Sequence, residues 1–243
     1  MISFMSPIWI LMFVVDFVLI AVLALTLRKD EDKAAKVMTI LAVINLVYFC
    51  FYKIMLSRDP VYRHQFFWMN ELPLNLCNIC SILIIFAIRT RKSYLMGFCY
   101  TFGLVGCFLA LLVPDPDFIN VPFLTPMGYG FWITHHFLFV LLVSLVGTGL
   151  YKPRYKDYPK ILLVMLVLFF AVFGINVLFR KISGFPVNYM YTFGLPGNAI
   201  MEFMYKLFPV YPFYIMPIVI PVTPVALLLM FIGRLINRKK QDA

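Results

Sequence analysis

Apolar residues fill this chain in long unbroken runs, and the short segments between the runs collect its charge. Seven runs lie near the roughly 20 residues that an α-helix needs to cross a bilayer. They cover about 7–27, 34–56, 71–88, 94–113, 129–149, 160–179 and 208–233. Membrane β-strands would alternate apolar and polar residues over segments of about ten, whereas these runs are continuous. The pattern predicts an all-α polytopic transmembrane helical bundle of about seven spans. No internal repeat, low-complexity tract, long linker or glycine-rich nucleotide loop divides the chain, so 1–243 reads as a single integral membrane domain.

Charge placement orients the bundle. The connections after the first, third and fifth spans and the C-terminal tail hold fifteen Lys and Arg, the opposite side holds six, and the N-terminus holds none. Positive residues are retained on the cytoplasmic side, which places the N-terminus outside and the C-terminus inside. The net charge of +10 then reads as a collar against anionic lipid headgroups, and no nucleic-acid partner is needed to explain it. The first run does not read as a secretory leader. Its preceding MISFMSP carries no Lys or Arg, and the positive charges follow the run instead.

Composition agrees. The chain is 63% apolar and 13% charged, with a mean hydropathy of +0.92. A soluble domain carries roughly 25% charge, so soluble and disordered classes are both excluded. The five cysteines, Cys50, Cys77, Cys80, Cys99 and Cys107, all fall in or at the ends of spans and form no secreted disulfide framework.

Polar residues within spans carry the functional signal, because each costs free energy unless it faces protein or water. They are Asp16, Asn45, a group of Asn75, Cys77, Asn78, Cys80 and Ser81 at the start of the third span, Thr134, His135 and His136 in the fifth, and Asn176 in the sixth. The third and fifth spans both begin at the outer face. Cys77 and His135 each stand about six residues in, so both lie roughly 9 Å below the outer ends of their helices. A thiol becomes a nucleophile when a base takes its proton or stabilises its anion. Cys with His is therefore the smallest kit for covalent acyl transfer. The same residues have plainer readings. A Cys in a membrane helix is usually a packing residue, and the CxxC of Cys77 and Cys80 lacks a second pair that would indicate metal. Adjacent His side chains diverge by about 100°, so one of the two faces a given pocket. Asp16 is open between a hydrogen-bond anchor, a proton carrier and a pocket wall. No metal or cofactor is expected.

Several segments go further than pattern. ELPLNLCNIC at 71–80 resembles the LPLHLC signature of the YwaF-like integral membrane proteins, the bacterial relatives of the transmembrane-protein-164 acyltransferases. VPDPDFINVPF at 113–123 resembles that family's Pro-Asp loop, and GFWITHHFLF at 130–139 its FISHG-type stretch. NYMYTFGLPGNAI at 188–200 and FPVYPFYI at 208–215 are similar to its NYMYL and GPWPWYI segments. The match runs in order over roughly 70–215.

The resemblance implies an acyltransferase that moves a fatty acyl chain between phospholipids through a Cys thioester, assisted by His. By position Cys77 would be the nucleophile and His135 the general base, later the acid for the leaving oxygen. Candidate substrate contacts are Asp16, Asn75, Asn78, His136 and Asn176, with Asn188 and Tyr189 of the matched segment. Asn78 or amides at the start of the third span would hold the oxyanion. Asn75 stands where the family signature often carries His, and Asn accepts no proton at neutral pH. His136 stands where the family tends to have Gly, and is the residue to compensate. The partners implied are phospholipid, lysophospholipid and membrane lipids. The topology sets the site near the outer face, and short connections without a transit peptide point to a bacterial cytoplasmic membrane. A transporter or solute-binding reading would instead line a cavity with Asp16, Asn45, Asn176 and the His pair, and unwind the seventh span at Pro217, Pro221 and Pro224. A structural membrane subunit would use the same polar groups to join helices.

Overall fold

The structure, a computed structural model, describes residues 5–114, 118, 121–195 and 199–238. The described residues build a helical bundle. Its elements are α1 (Pro7–Leu27), α2 (Glu31–Arg58), α3 (Trp68–Glu71), α4 (Leu76–Thr90), α5 (Ser93–Phe98), α6 (Leu104–Leu112), α7 (Pro126–Gly147), α8 (Tyr158–Ser183), α9 (Ala199–Leu207) and α10 (Val219–Arg238). A π-helical turn, Cys99–Gly103, joins α5 to α6, so Ser93–Leu112 is one continuous helix long and apolar enough to cross a membrane. Among the described residues six helices are long and apolar enough to span a membrane, and α4 is a shorter apolar helix. Large apolar side chains stand outward along α1, with Leu25 81% exposed. Bare in water such a face would aggregate; in a bilayer it meets lipid.

Local chemistry fixes most boundaries near their predicted positions. Ser6 caps α1 by accepting from Trp9 N at 3.3 Å, with Pro7 in the first turn. Asp30 caps α2 through Lys33 N at 2.9 Å. Thr125 caps α7 through Gly128 N at 3.2 Å, followed by Pro126. Gly184, at φ 70°, closes α8.

Two spans differ from the sequence reading. The third begins at Leu76 and not at 71, because Pro73 holds the residue before it, Leu72, extended at φ −67°, ψ 154°. The resulting α4 has 15 residues, about 22 Å of helix. The seventh is regular only from Val219. A tight 3₁₀ stretch, Phe213–Ile218, precedes it, since Pro212 and Pro217 lack amides to donate. Residues 115–117, 119–120 and 196–198, inside two of the family-like segments, and Lys239 and Lys240 of the basic tail lie outside the described residues.

α7 is the axis of the bundle and its most buried long helix, with α1, α2 and α6 packed around it. Gly130 sets one of these contacts. A Cβ there would lie 2.3 Å from the Tyr52 ring, so the ring of α2 rests on bare backbone. At the predicted cytoplasmic end Arg91 joins α4 to α2, pairing with Glu31 at 2.9 Å and Asp32 at 3.1 Å. At the opposite end Lys53 pairs with Glu71, whose other oxygen accepts from Tyr62 Oη at 2.8 Å. This holds α3 against α2 and fixes where α4 starts.

Candidate functional site

The break at Pro73 decides what surrounds Cys77. Asn75 is the N-cap of α4 by backbone, yet its side chain caps nothing in the helix; its Oδ1 accepts from Met190 N at 3.0 Å. The helical ladder opens with Ile79 N donating to Asn75 O at 2.9 Å. Among the described residues no carbonyl or side chain accepts from the amides of Leu76, Cys77 and Asn78, apart from Cys77's own sulfur. The thiol therefore sits at the second position of a helix whose first donors are open, where partial positive charge gathers. Cys77 is a free thiol and half-buried. It packs beside Gly106, where an added Cβ would come within 3.7 Å of its sulfur.

His135 is held one turn down from Phe131. Its Nδ1 lies 2.8 Å from the Phe131 carbonyl; a carbonyl only accepts, so Nδ1 carries the proton and Nε2 keeps its lone pair. No hydrogen bond joins His135 to Cys77 among the described residues. One turn of α6 nevertheless adjoins both. Gly106 lies against Cys77, and the Cys107 thiol donates to the His135 carbonyl at 3.1 Å. The equal depths read from the sequence do not survive as helix positions. Cys77 is the second residue of α4 and His135 the tenth of α7. A bent segment, Leu72–Asn75, in which Leu74 N donates to Leu72 O at 2.8 Å, leads into α4.

Asp16 and His136 meet across α1 and α7. Their Oδ2 and Nδ1 are 2.5 Å apart, and the residues are 4% and 5% exposed. Phe13 stands edge-on to the imidazole at 5.0 Å and Trp132 lies nearly parallel at 6.1 Å. His136 Nε2 is buried with no partner among the described residues, as is Trp132 Nε1. The two adjacent histidines thus serve different neighbours, as their 100° divergence requires.

Asn176, Asn188, Tyr189 and Asn45 bond within the protein, whereas Thr134 Oγ1 is buried without a partner among the described residues. Asn176 donates through Nδ2 to Tyr189 O at 2.8 Å and Thr192 Oγ1 at 2.7 Å, and its Oδ1 accepts from Tyr189 N at 3.1 Å. Asn188 accepts from Phe193 N at 2.8 Å and donates to Gly194 O at 3.1 Å. Tyr189 Oη donates to Met69 O and accepts from Leu72 N, both at 2.8 Å. Together with Asn75 they clamp residues 188–194 onto the start of α4. Met190 and Tyr191 are held there at φ 52° and 55°, a region ordinary side chains occupy only under restraint. Asn45 Nδ2 donates to Ser81 Oγ at 3.3 Å, and Ser81 Oγ to Cys77 O at 3.3 Å. Asn45 and Asn176 thus join parts of the protein, the use a structural reading gives them.

Three groups beside these candidates escaped the sequence reading. Cys107 counted there as packing, Trp132 carried no mark against the many aromatics, and the Lys53–Glu71 pair straddled a span boundary. Only the last had a signal, an acid and a base at adjoining span ends.

The TMEM164 family profile matches residues 2–232 of the chain. No curated protein and no solved structure gives a match.

Proposed function

The chain belongs to the TMEM164 family, and from that premise we propose that this integral membrane protein is a lipid acyltransferase working through a thioester on Cys77. The observation that carries the reading is the placement of Cys77 at the open start of α4. His135 Nε2 takes the thiol proton and the sulfur attacks an ester carbonyl of a donor phospholipid. The amides of Leu76 and Asn78 stand to hold the negative charge on the tetrahedral oxygen, with the Asn78 side chain as a further donor. As the C–O bond breaks, His135 returns the proton to the departing lysolipid oxygen. That leaves an acyl thioester on Cys77 and a complete lysophospholipid. A second lysophospholipid hydroxyl then takes the acyl group and restores the thiol. Resting catalytic contacts are commonly long and close on substrate binding, and one turn of α6, Gly106–Cys107, touches both Cys77 and the His135 carbonyl. On the charge bias, the proposed chemistry lies in the outer half of the membrane.

Transfer of acyl chains from a phospholipid to an isotopically labelled lysophospholipid, followed by mass spectrometry in detergent, tests the reading. Cys77→Ala should abolish transfer, and His135→Gln should slow it by roughly 10²–10⁴-fold. Transfer persisting in Cys77→Ala, or its absence from the unsubstituted protein with several donors, would remove it.

A further inference from the structure

The Asp16–His136 pair is more than a tie between α1 and α7. A buried polar atom without a partner costs about 1–3 kcal/mol, and among the described residues two such atoms, His136 Nε2 and Trp132 Nε1, stand one helical turn apart on α7. Here Asp16 accepts from Nδ1–H, which fixes the tautomer and leaves the Nε2 lone pair unpartnered. Trp132 is one turn earlier on the same face of α7, and its indole N–H is unpartnered as well. The two rings are nearly parallel, with centroids 6.1 Å apart. One orphan is an acceptor and the other a donor. A hydroxyl has the chemistry to answer both, accepting from an indole N–H while donating to an imidazole nitrogen.

The same turn of α6 links this place to Cys77. Gly106 touches Cys77, Cys107 touches the His135 carbonyl, and Phe108 meets Phe13 at 6.2 Å, the ring that abuts His136. We propose that Trp132 and the Asp16–His136 pair form a hydroxyl-binding site that activates the acceptor for the second half of the reaction. The proposal rests on the acyl-thioester reading. Bound there, the hydroxyl gives its proton to His136 Nε2 as its oxygen attacks the thioester carbonyl. The C–S bond breaks, the sulfur leaves with the bonding pair, and His136 returns the proton to Cys77. The products are an ester and the free thiol. The carboxylate of Asp16 holds the ring and balances the transient imidazolium. A lysophospholipid alcohol and water share this chemistry. The first makes a transferase and the second a hydrolase.

The test separates loading from discharge. Cys77 is acylated with an activated p-nitrophenyl fatty ester, excess ester is removed, and loss of the adduct is followed by intact mass with lysophospholipid, with buffer alone, or with hydroxylamine. Hydroxylamine attacks thioesters without a base. Asp16→Asn and His136→Gln should discharge to lysophospholipid about 100-fold more slowly while discharging to hydroxylamine at the unsubstituted rate. Trp132→Phe, which keeps the ring and deletes the N–H, should slow lysophospholipid discharge about fivefold. The same losses in buffer alone, with no gain from lysophospholipid, would support the site and assign it to water. Unsubstituted discharge rates in all three variants would overturn the proposal. So would equal slowing toward hydroxylamine, which marks a structural role. Failure of the unsubstituted protein to load at Cys77 is a separate result: it ends the thioester reading and this proposal together.

Discussion

At the residue scale, the polar groups of this membrane protein divide into those that bond one another and those left open. Asn176 belongs to the first kind. Its amide satisfies Tyr189 and Thr192 while completely buried, so Asn176→Ala strands buried backbone groups and should cost roughly 1–3 kcal/mol, read as a lower melting temperature in detergent. An unchanged melting temperature would show the loop clamp to be idle. Asn75→Ala loses one hydrogen bond, to Met190 N, and should cost about 1 kcal/mol by the same measurement. Cys77, His135, His136 and Asp16 were all legible in the sequence as polar residues within apolar runs. Their pairings were not. Asp16 and His136 are 120 residues apart, and no periodicity states which helices adjoin. Asn75 stood out as a departure from a family pattern; its bond to Met190 depends on a left-handed turn that composition does not announce.

At the element scale, one proline shapes the site. Pro73 stops the α3 helix from running into α4 and leaves the amides ahead of Cys77 open. Pro73→Ala removes that block. The α3 and α4 helices should then merge, the amides of Leu76, Cys77 and Asn78 should bond to preceding carbonyls, and transferase activity should fall at least tenfold with the protein still folded and monodisperse. Full activity would detach the chemistry from the helix start. Gly130 tests the packing. With a Cβ 2.3 Å from the Tyr52 ring, Gly130→Ala should force α2 away from α7 and destabilise by about 1–3 kcal/mol. Hydropathy placed five of seven spans to within a few residues. It misjudged the third and seventh starts because it scores Pro73, Pro212 and Pro217 by polarity and does not see the missing amide.

At the scale of the whole molecule, the fold class was available from the runs alone, and the structure adds how the runs surround α7. The late start of α4 makes Cys77 the second residue of its helix, and the Gly106–Cys107 turn adjoins both Cys77 and the His135 backbone. Family membership over 2–232 extends the resemblance, which the sequence motifs carried only from about 70 to 215, to α1 and α2. Those helices supply Asp16, Lys53 and the Asn45 link to Ser81.

The thioester is the claim on which the rest depends, and the intact mass of the purified protein after incubation with a phospholipid in detergent tests it most directly. The account predicts a mass increase of one acyl group, removed by hydroxylamine, absent from Cys77→Ala and slowed in His135→Gln. No adduct with any of several donor phospholipids, or an adduct that persists in Cys77→Ala, would contradict it.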